Sequence, residues 1–305
     1  MSLADDYAAV RKGGGVIDLA SRVKLWFTGN DRVRYLNGQV TAKLTGANGV
    51  QHACVTTAKG KLCADVFIGT WPAGIVVDAD AAVASTLFPR LGKYVVADDV
   101  EIEDVTASTA LIHCVGVAVE QMNDEPSWTF APVNRLGIPG IDLVPQLREG
   151  LAPIWEKLTE RFPVVSEELA EVFRIESGIP RWGWELDENT LPAEAGLDRT
   201  HVDFHKGCYI GQEVISRIKS VGHVNRSLRG FVSPNGEPIP RGARIAAAEA
   251  PGESLGTISS ATFSVGLNRP VAMGYLKRNA VEAGLCAFGG DGSMVPVSLH
   301  ALPFL

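Results

Sequence analysis

The pattern of apolar residues changes near residue 227, and this change limits what the chain can fold into. Before it, strand-like runs alternate with helix-like stretches. After it, short strand-like runs are separated by glycine and proline turns, and no helical pattern remains. Mixed elements predict an α+β region with helices packed on a sheet, and successive short strands predict a small β-barrel. We therefore expect an α+β region over residues 1–228 and a β-barrel over residues 229–305.

The sequence of the α+β region predicts an order of strands and helices. Two strand-like runs are joined as a hairpin by the turn Ala58-Lys59-Gly60-Lys61. The strands predicted in this region are residues 24–27, 51–57, 62–71, 74–77, 100–105 and 110–115. The helices predicted in it begin near residue 31 and cover residues 80–91, 152–161 and 166–177.

Composition limits the classes of function. A net charge of −7 and a pI of about 5.4 argue against a nucleic-acid-binding protein, which needs a basic face. One local basic patch follows residue 216, and it is either a solvated surface or a binding site; its residues are Arg217, Lys219, His223, Arg226 and Arg229. No apolar stretch approaches the ~18 residues of a membrane span, and no secretion signal is visible, so we expect a cytoplasmic protein without membrane contact.

Five cysteines are present, an odd number without a CxxC pair. Reduced thiols are the natural interpretation, and no zinc-ribbon or iron–sulfur ligand set is visible. The spacing of His201, His205 and Cys208 would suit a metal only on a continuous helix, and Gly207 argues against one. The sequence therefore predicts no metal site.

A glutamate occupies the apolar side of the helix that begins at Ser166. Leu169, Val172 and Phe173 form the apolar stripe, and the same spacing continues to Glu176. An unpaired buried carboxylate costs several kcal/mol, so a partner is required. The alternatives are an ion pair with Arg174 or Arg181, a frayed last turn, or a pocket in which Glu176 accepts paired N–H donors from a heterocycle.

The run Lys206-Gly207-Cys208-Tyr209-Ile210-Gly211-Gln212-Glu213 contains one strong nucleophile, the thiol of Cys208. A neighbouring ammonium favours the thiolate form, so Lys206 is expected to activate Cys208. Glycines at 207 and 211 allow a sharp turn or a close approach to a ligand.

This run resembles the KGCYxGQE motif of the YgfZ-type folate-binding proteins, relatives of the glycine-cleavage T protein (aminomethyltransferase). Three further segments are similar to that wider family. They are Gly29-Asn30-Asp31 with residues 35–41, Arg174-Ile175-Glu176-Ser177-Gly178, and the run from Asp187 to Leu197. The resemblance covers nearly the whole chain, because the segments occur in the family's order.

The resemblance implies a three-lobed α+β fold around a tetrahydrofolate site, with residues 50–108 as an inserted second lobe and the β-barrel as the third. It implies that Glu176 binds the pterin, with Arg174, Tyr209 and Asp65 as further folate-binding candidates. It also implies that Cys208 and Lys206 carry the chemistry, and that iron–sulfur client or assembly proteins are the partners.

The chain departs from aminomethyltransferases after the hairpin turn. Their paired acids correspond to Ala64 and Asp65, so only one acid remains. An alanine cannot accept a proton, which places methylene transfer in doubt and leaves enzymatic activity open. Three functions remain: a folate-dependent factor for iron–sulfur proteins, a one-carbon transferase or demethylase with Asp65 as its acid, and a non-catalytic binding module that uses the basic patch.

Overall fold

The computed structural model describes residues 2–45, 49–122, 130–147, 151–280 and 284–305. In these ranges no helix is long and apolar enough to cross a membrane. The α-helices in the same ranges are α1 (Leu3–Gly13), α2 (Arg32–Gln39), α3 (Ala84–Gly92), α4 (Leu151–Arg161), α5 (Glu167–Glu176) and α6 (Gln212–Ser220).

A five-stranded antiparallel sheet forms the first body of the fold. Its spatial order is β3 (Gly49–Thr56), β4 (Leu62–Trp71), β5 (Gly74–Ala79), β2 (Val23–Thr28) and β6 (Glu101–Asp104). Helices α2 and α3 cover one face, where Leu36, Leu87 and Leu91 join a buried apolar cluster with the strands. The strands of this lobe begin at Val23 rather than near residue 50, because β2 pairs with both β5 and β6.

A four-stranded sheet forms the second body, in the order β1 (Gly15–Asp18), β7 (Thr109–Val115), β9 (Gly140–Leu147) and β8 (Phe130–Val133). Strand β1 pairs with β7, so the whole five-stranded sheet is inserted in the chain between two neighbouring strands. Helix α5 packs beside α1, where Val172 and Phe173 join Tyr7 and Val10 in one buried cluster.

The C-terminal body is a seven-stranded antiparallel sheet that begins at Arg226. Its order is β15 (Met294–Pro296), β14 (Leu285–Phe288), β11 (Arg244–Ala247), β12 (Gly256–Ser264), β13 (Arg269–Lys277), β10 (Arg226–Val232) and β16 (Ser298–His300). Phe231, Ile245 and Ala272 lie in its buried core. The predicted class, α+β followed by all-β, is confirmed.

Candidate functional site

The five-stranded sheet has one apolar face and one face that mixes polar side chains with a small apolar cluster, because successive side chains of a strand point to opposite sides; we call the mixed face the polar face. Val55, Ala64 and Val66 point into the apolar cluster under α2 and α3. On the other face, Asp65 lies between them on β4, and His52 of β3 contacts Phe67 with ring centroids 4.1 Å apart. An acid at position 64 would therefore lie in the lobe core, whereas Asp65 lies on the polar face.

Two histidines meet at Asp65. His201 Nε2 lies 3.1 Å from Asp65 Oδ1 and 3.2 Å from His52 Nδ1. His52 Nε2 lies 3.1 Å from the carbonyl oxygen of Asn134, which only accepts, so His52 carries its proton on Nε2 and accepts from His201 at Nδ1. Asp65 Oδ1 is then buried without a well-angled donor in the described part of the chain.

The electrostatics of this trio keep His52 neutral and Asp65 charged. Burial, followed by the charge of His201, lowers the pKa of His52 to about 4. Burial alone would raise the pKa of Asp65, but the proximity of His201, whose Nε2 lies 3.1 Å from Oδ1, outweighs it and lowers that pKa. At neutral pH the polar face therefore carries a carboxylate whose inner oxygen lies 3.1 Å from His201 Nε2 and has no well-angled donor among the described residues.

A second polar group joins the two α+β sheets. Arg135 donates to Asp142 on β9 (Nη2–Oδ2, 2.6 Å) and to Asp78 on β5 (Nη2–Oδ2, 2.7 Å). His113 Nδ1 lies 2.9 Å from Asp142 Oδ1. Burial works against these charges, but the arginine charge lowers the pKa of Asp142 to about 2. Sequence reasoning missed Arg135, because nothing around it marks a site.

Glu176 lies on the core-facing side of α5 and is fully buried, as the helix spacing predicted. Its Oε1 accepts from Ser264 Oγ (2.6 Å) and Gly266 N (3.0 Å), and its Oε2 accepts from Tyr7 Oη (2.8 Å). Arg11 Nη2 lies 3.6 Å from Oε2. The ion-pair partner is thus Arg11, not Arg174 or Arg181 as considered above. A carboxylate has about four lone-pair sites; three of them accept hydrogen bonds from protein groups, and the Arg11 guanidinium lies beside the carboxylate.

Arg174, on the same helix, is also held by protein groups. Its guanidinium donates to Ser260 Oγ on β12 (2.7 Å), to the carbonyl oxygen of Ile179 (2.7 Å) and to Glu185 Oε2 (3.1 Å). Together with Glu176 it attaches α5 to β12 and the turn after it. Both predicted folate-binding residues of this helix therefore make contacts that join two bodies of the fold.

Lys206 does not act on Cys208 as the sequence suggested. Its Nζ is buried and donates to the carbonyl oxygens of Asn37 (2.9 Å), Val40 (2.7 Å) and Ala42 (2.5 Å), at the C-terminal end of α2. An ammonium has three N–H donors, so none remains for the thiol. Burial lowers the pKa of Lys206 to about 8.

Cys208 is exposed and lies in a shallow cavity of about 300 Å³ that Lys43 and His205 also line. Glu176 is not among the residues that line this cavity. The motif glycine Gly211 has a φ of +91°, and a Cβ there would lie 2.6 Å from the carbonyl oxygen of Thr57. Gly211 therefore allows the motif to approach the β3–β4 hairpin turn rather than a ligand.

Tyr209 turns its ring inward from the same loop. Its hydroxyl is buried and has no hydrogen-bond partner among the described residues, and burial raises its pKa to about 12. Tyr209 also lines an open cavity of about 620 Å³ together with Gln39 and Tyr94. Of the residues predicted for the site, Asp65 and Tyr209 thus have a buried polar atom without a hydrogen bond to the described part of the chain.

The loop does not assemble a metal site in the described residues. His201 is buried, whereas His205 and Cys208 are exposed, and residues 201–211 form turns instead of a helix. Across the described ranges, no group of three or more His, Cys, Asp or Glu side chains has an arrangement that could hold a metal ion.

Comparison with known proteins identifies the C-terminal body. Residues 226–305 match the family described as the glycine cleavage T-protein C-terminal barrel domain. An aminomethyltransferase of Streptomyces avermitilis is 27% identical over 98% of this chain and 88% of its own length. An iron-sulfur cluster assembly factor IBA57 homolog, mitochondrial, of Chaetomium globosum is 30% identical over 73% of this chain and 57% of its own length.

The fold has a solved counterpart. The crystal structure of the glycine cleavage system aminomethyltransferase T from Bartonella henselae superposes with a TM-score of 0.86, covering 100% of this chain and 90% of that one. The sequence identity is 19%, so the likeness concerns the fold alone. The chain is thus distantly similar to aminomethyltransferases and to iron–sulfur cluster assembly factors.

Proposed function

We propose that this chain, which belongs to the aminomethyltransferase-like glycine-cleavage T-protein family, binds tetrahydrofolate at the polar face of its five-stranded sheet. Its role is that of an accessory factor for iron–sulfur proteins. The family typically binds tetrahydrofolate, which supports the choice of ligand. The observation that carries the proposal is Asp65 Oδ1, which is buried between two histidines and the neighbouring lobe and has no hydrogen bond from the described residues.

Asp65 has the chemistry that a reduced pterin requires. A pterin presents N–H donors in a plane, and a carboxylate with a free lone pair accepts them through strong charge-assisted hydrogen bonds. The lowered pKa of Asp65 keeps its carboxylate ionised. Because His52 carries its proton on Nε2, the donor nearest to Asp65 is His201 rather than His52. Glu176, in contrast, would have to release Ser264, Gly266 or Tyr7 before it could accept from a ligand.

Calorimetric titration with tetrahydrofolate tests the binding site. We expect Asp65→Asn to weaken binding at least tenfold, which corresponds to ~1.4 kcal/mol. Glu101→Gln is the matched control, because it neutralises an exposed acid on the same sheet and should leave affinity unchanged. Absence of binding by the wild type, or equal affinity of the wild type and Asp65→Asn, would contradict the proposal.

Cys208 supplies the second part of the proposed function. Its thiol is exposed on a loop that Lys206 and Gly211 hold in place, so a partner protein can reach it. The similarity to iron-sulfur cluster assembly factors supports a role for Cys208 in the assembly or maintenance of iron–sulfur proteins.

Complementation of a deletion strain tests the thiol. We expect Cys208→Ser to leave iron–sulfur enzyme activity unrestored, whereas Cys63→Ser, a half-buried thiol on β4, restores it. Full restoration by Cys208→Ser would exclude a role of the thiol in this function, while the folate site would stand on the titration alone.

A second candidate is a folate-dependent one-carbon transferase, and the placement of residue 64 favours it. Ala64 stands where aminomethyltransferases have one of two neighbouring acids, but its side chain points into the lobe core. The substitution therefore leaves Asp65, the acid of the polar face, in place. In this case tetrahydrofolate, a methylated amine and a two-electron acceptor such as a flavin would give 5,10-methylenetetrahydrofolate, the demethylated amine and the reduced acceptor, and Asp65→Asn would abolish turnover. Absence of turnover with every amine donor would leave the accessory function.

A further inference from the structure

An exposed turn of the C-terminal sheet contains an asparagine followed by a glycine. The turn runs from Ser233 to Gly236, directly after strand β10. Gly236 N donates to the carbonyl oxygen of Ser233 over 3.4 Å, which is longer than a normal N–H···O hydrogen bond. Asn235 and Gly236 are both exposed, and the side-chain amide of Asn235 makes no hydrogen bond within the described ranges. This amide is therefore free to approach the backbone nitrogen that follows it.

The glycine makes that approach chemically important. A backbone nitrogen can attack the side-chain carbonyl carbon of the asparagine before it and close a five-membered succinimide ring. Glycine favours ring closure because it has no side chain to hinder the attack and because its backbone adopts a wide range of angles. Gly236 has a φ of +75°, and a Cβ built on it would meet no atom within 4 Å, so the ring has room to form.

A second Asn-Gly pair is held in a form that opposes the same reaction. Asn37 and Gly38 lie inside α2, where the backbone nitrogen belongs to the hydrogen-bond ladder of the helix. Asn37 Nδ2 donates to the carbonyl oxygens of Val33 (3.0 Å) and Leu44 (2.9 Å), and its Oδ1 accepts from Leu44 N (2.9 Å). A third pair begins at Asn48, outside the described residues. Two identical dipeptides are thus placed by the fold in opposite circumstances, one fixed and one free.

We propose that Asn235 is a site of spontaneous modification in the folded protein, where it converts through a succinimide to isoaspartate and aspartate. The Gly236 nitrogen gives up its proton and attacks Cγ of Asn235, a C–N bond forms, the bond from Cγ to the amide nitrogen breaks, and ammonia leaves. Water then adds to one of the two ring carbonyl groups and opens the ring. One opening gives aspartate, and the other gives isoaspartate, whose main chain runs through the former side chain. No oxidant or reductant takes part.

The conversion changes the charge of the turn and the path of its main chain. It adds one negative charge to a chain whose net charge is −7, and the isoaspartyl form lengthens the turn by one main-chain atom. Ser233 and Ile239 are buried on either side of the exposed stretch. The altered atoms therefore lie outside the core of the sheet, and the modified protein remains folded.

Ageing of the full-length protein tests the proposal. Wild type and Asn235→Gln are incubated in mildly alkaline buffer, natively and in urea that unfolds the chain. They are then digested with an acid-active protease, so that no conversion occurs during digestion. Mass spectrometry follows the gain of one mass unit in the peptides that contain Asn37 or Asn235. Labelled S-adenosylmethionine and a methyltransferase specific for isoaspartyl carboxylates report isoaspartate.

In the native protein we expect Asn235 to convert at least about tenfold faster than Asn37, a difference in activation free energy of about 1.4 kcal/mol. In urea the two rates should be comparable, because both pairs then lie in an open chain. Asn235→Gln should accept much less methyl label than the wild type, since glutamine would have to close a less favourable six-membered ring. Asp291-Gly292, in another exposed turn, adds the same background of isoaspartate to both proteins.

Three results would overturn the proposal. The first is conversion of Asn235 no faster than that of Asn37 in the native protein. The second is equal methyl incorporation by the wild type and Asn235→Gln. The third is a rate ratio that stays the same in urea, because the difference would then come from the neighbouring sequence and not from the turn. None of these results depends on folate binding or on the thiol of Cys208.

Discussion

Lys206 attaches the cysteine loop to the end of a helix. Its ammonium lies where three carbonyl groups at and just beyond the last turn of α2 converge, and the helix dipole favours a cation there. The lysine before Cys208 thus fixes the position of the thiol rather than its charge. A thiol held on such a loop stays exposed while its neighbours Lys206 and Tyr209 are buried.

Replacement of Lys206 by methionine should destabilise the protein. The variant leaves the carbonyl oxygens of Asn37, Val40 and Ala42 without their donor, and unsatisfied buried acceptors cost about 1–3 kcal/mol each in the general case. We expect the free energy of unfolding in urea to fall by about 2–4 kcal/mol. Lys59→Met, at an exposed turn, should change it by less than about 0.5 kcal/mol. Equal stability of the two variants would refute this role of Lys206.

His52 makes stability depend on pH. Its pKa is lowered to about 4 in the folded protein from 6.5, so the unfolded chain takes up a proton first as pH falls. The stability is present above pH 6.5 and is lost as pH falls toward 4. Between pH 7 and pH 5 the wild type should lose about 2 kcal/mol more than His52→Gln. The pKa of Asp142, about 2, places its own effect in more acidic solution. Parallel pH profiles of the two proteins would disprove the assignment.

At the scale of elements, α5 attaches the C-terminal sheet to the α+β region. Glu176 contacts Ser264 and Gly266, and Arg174 contacts Ser260, so two charged side chains of one helix hold β12 and the turn after it. A glutamate on the apolar side is tolerated because three hydrogen-bond donors and the Arg11 guanidinium surround it.

We expect Glu176→Ala to lower the free energy of unfolding by about 2–4 kcal/mol, since it leaves Ser264 and Tyr7 without an acceptor. The affinity of the folded protein for tetrahydrofolate should stay within about twofold of the wild type, because Glu176 is enclosed. Denaturant titration and calorimetry measure the two effects. Glu168→Ala, exposed in the first turn of the same helix, is the control. A large loss of affinity without a loss of stability would return the pterin role to Glu176.

The spacing of apolar residues predicted helices and strands better than it predicted which side chains contact one another. The spacing of Leu169, Val172 and Phe173 correctly placed Glu176 inside, but its partner Tyr7 is 169 residues away in sequence. Tyr7 belongs to α1, which the sequence did not predict because only two of its side chains, Tyr7 and Val10, are buried. Short strands such as β1 and β8 were missed as well, since four residues give little alternation to detect.

At the scale of the whole molecule, Arg135 holds the two α+β sheets together. It comes from the turn between β8 and β9 and reaches a carboxylate on each sheet. Arg135→Met should lower the free energy of unfolding by about 3–5 kcal/mol, because Asp78 and Asp142 would remain buried without their common cation. Arg34→Met, which removes the two ion pairs of an exposed arginine with Asp31 and Asp98, should cost less than about 1 kcal/mol. Thermal unfolding compares the two, and an equally small loss for both would contradict the role of Arg135.

The candidate site also depends on contacts that no local pattern encodes. Asp65 was singled out from the sequence, but His52 was not, and its neighbour His201 is 149 residues further along the chain. Their meeting follows from the packing of loops against the polar face of the sheet. Cys208, singled out as the nucleophile of its motif, is exposed. Lys206 points away from it to the end of α2, because sequence proximity does not fix where an ammonium points.

The pairing of β1 with β7 has a consequence for synthesis on the ribosome. β1 emerges early but finds its partner only after residue 109 has been made, by which time every strand of the five-stranded sheet has been translated. The five-stranded lobe can therefore fold before the four-stranded lobe, and β1 stays unpaired until β7 is available. A ribosome that stalls before β7 would leave a folded five-stranded lobe with an unpaired β1 strand. Nascent-chain chaperones bind intermediates of this kind.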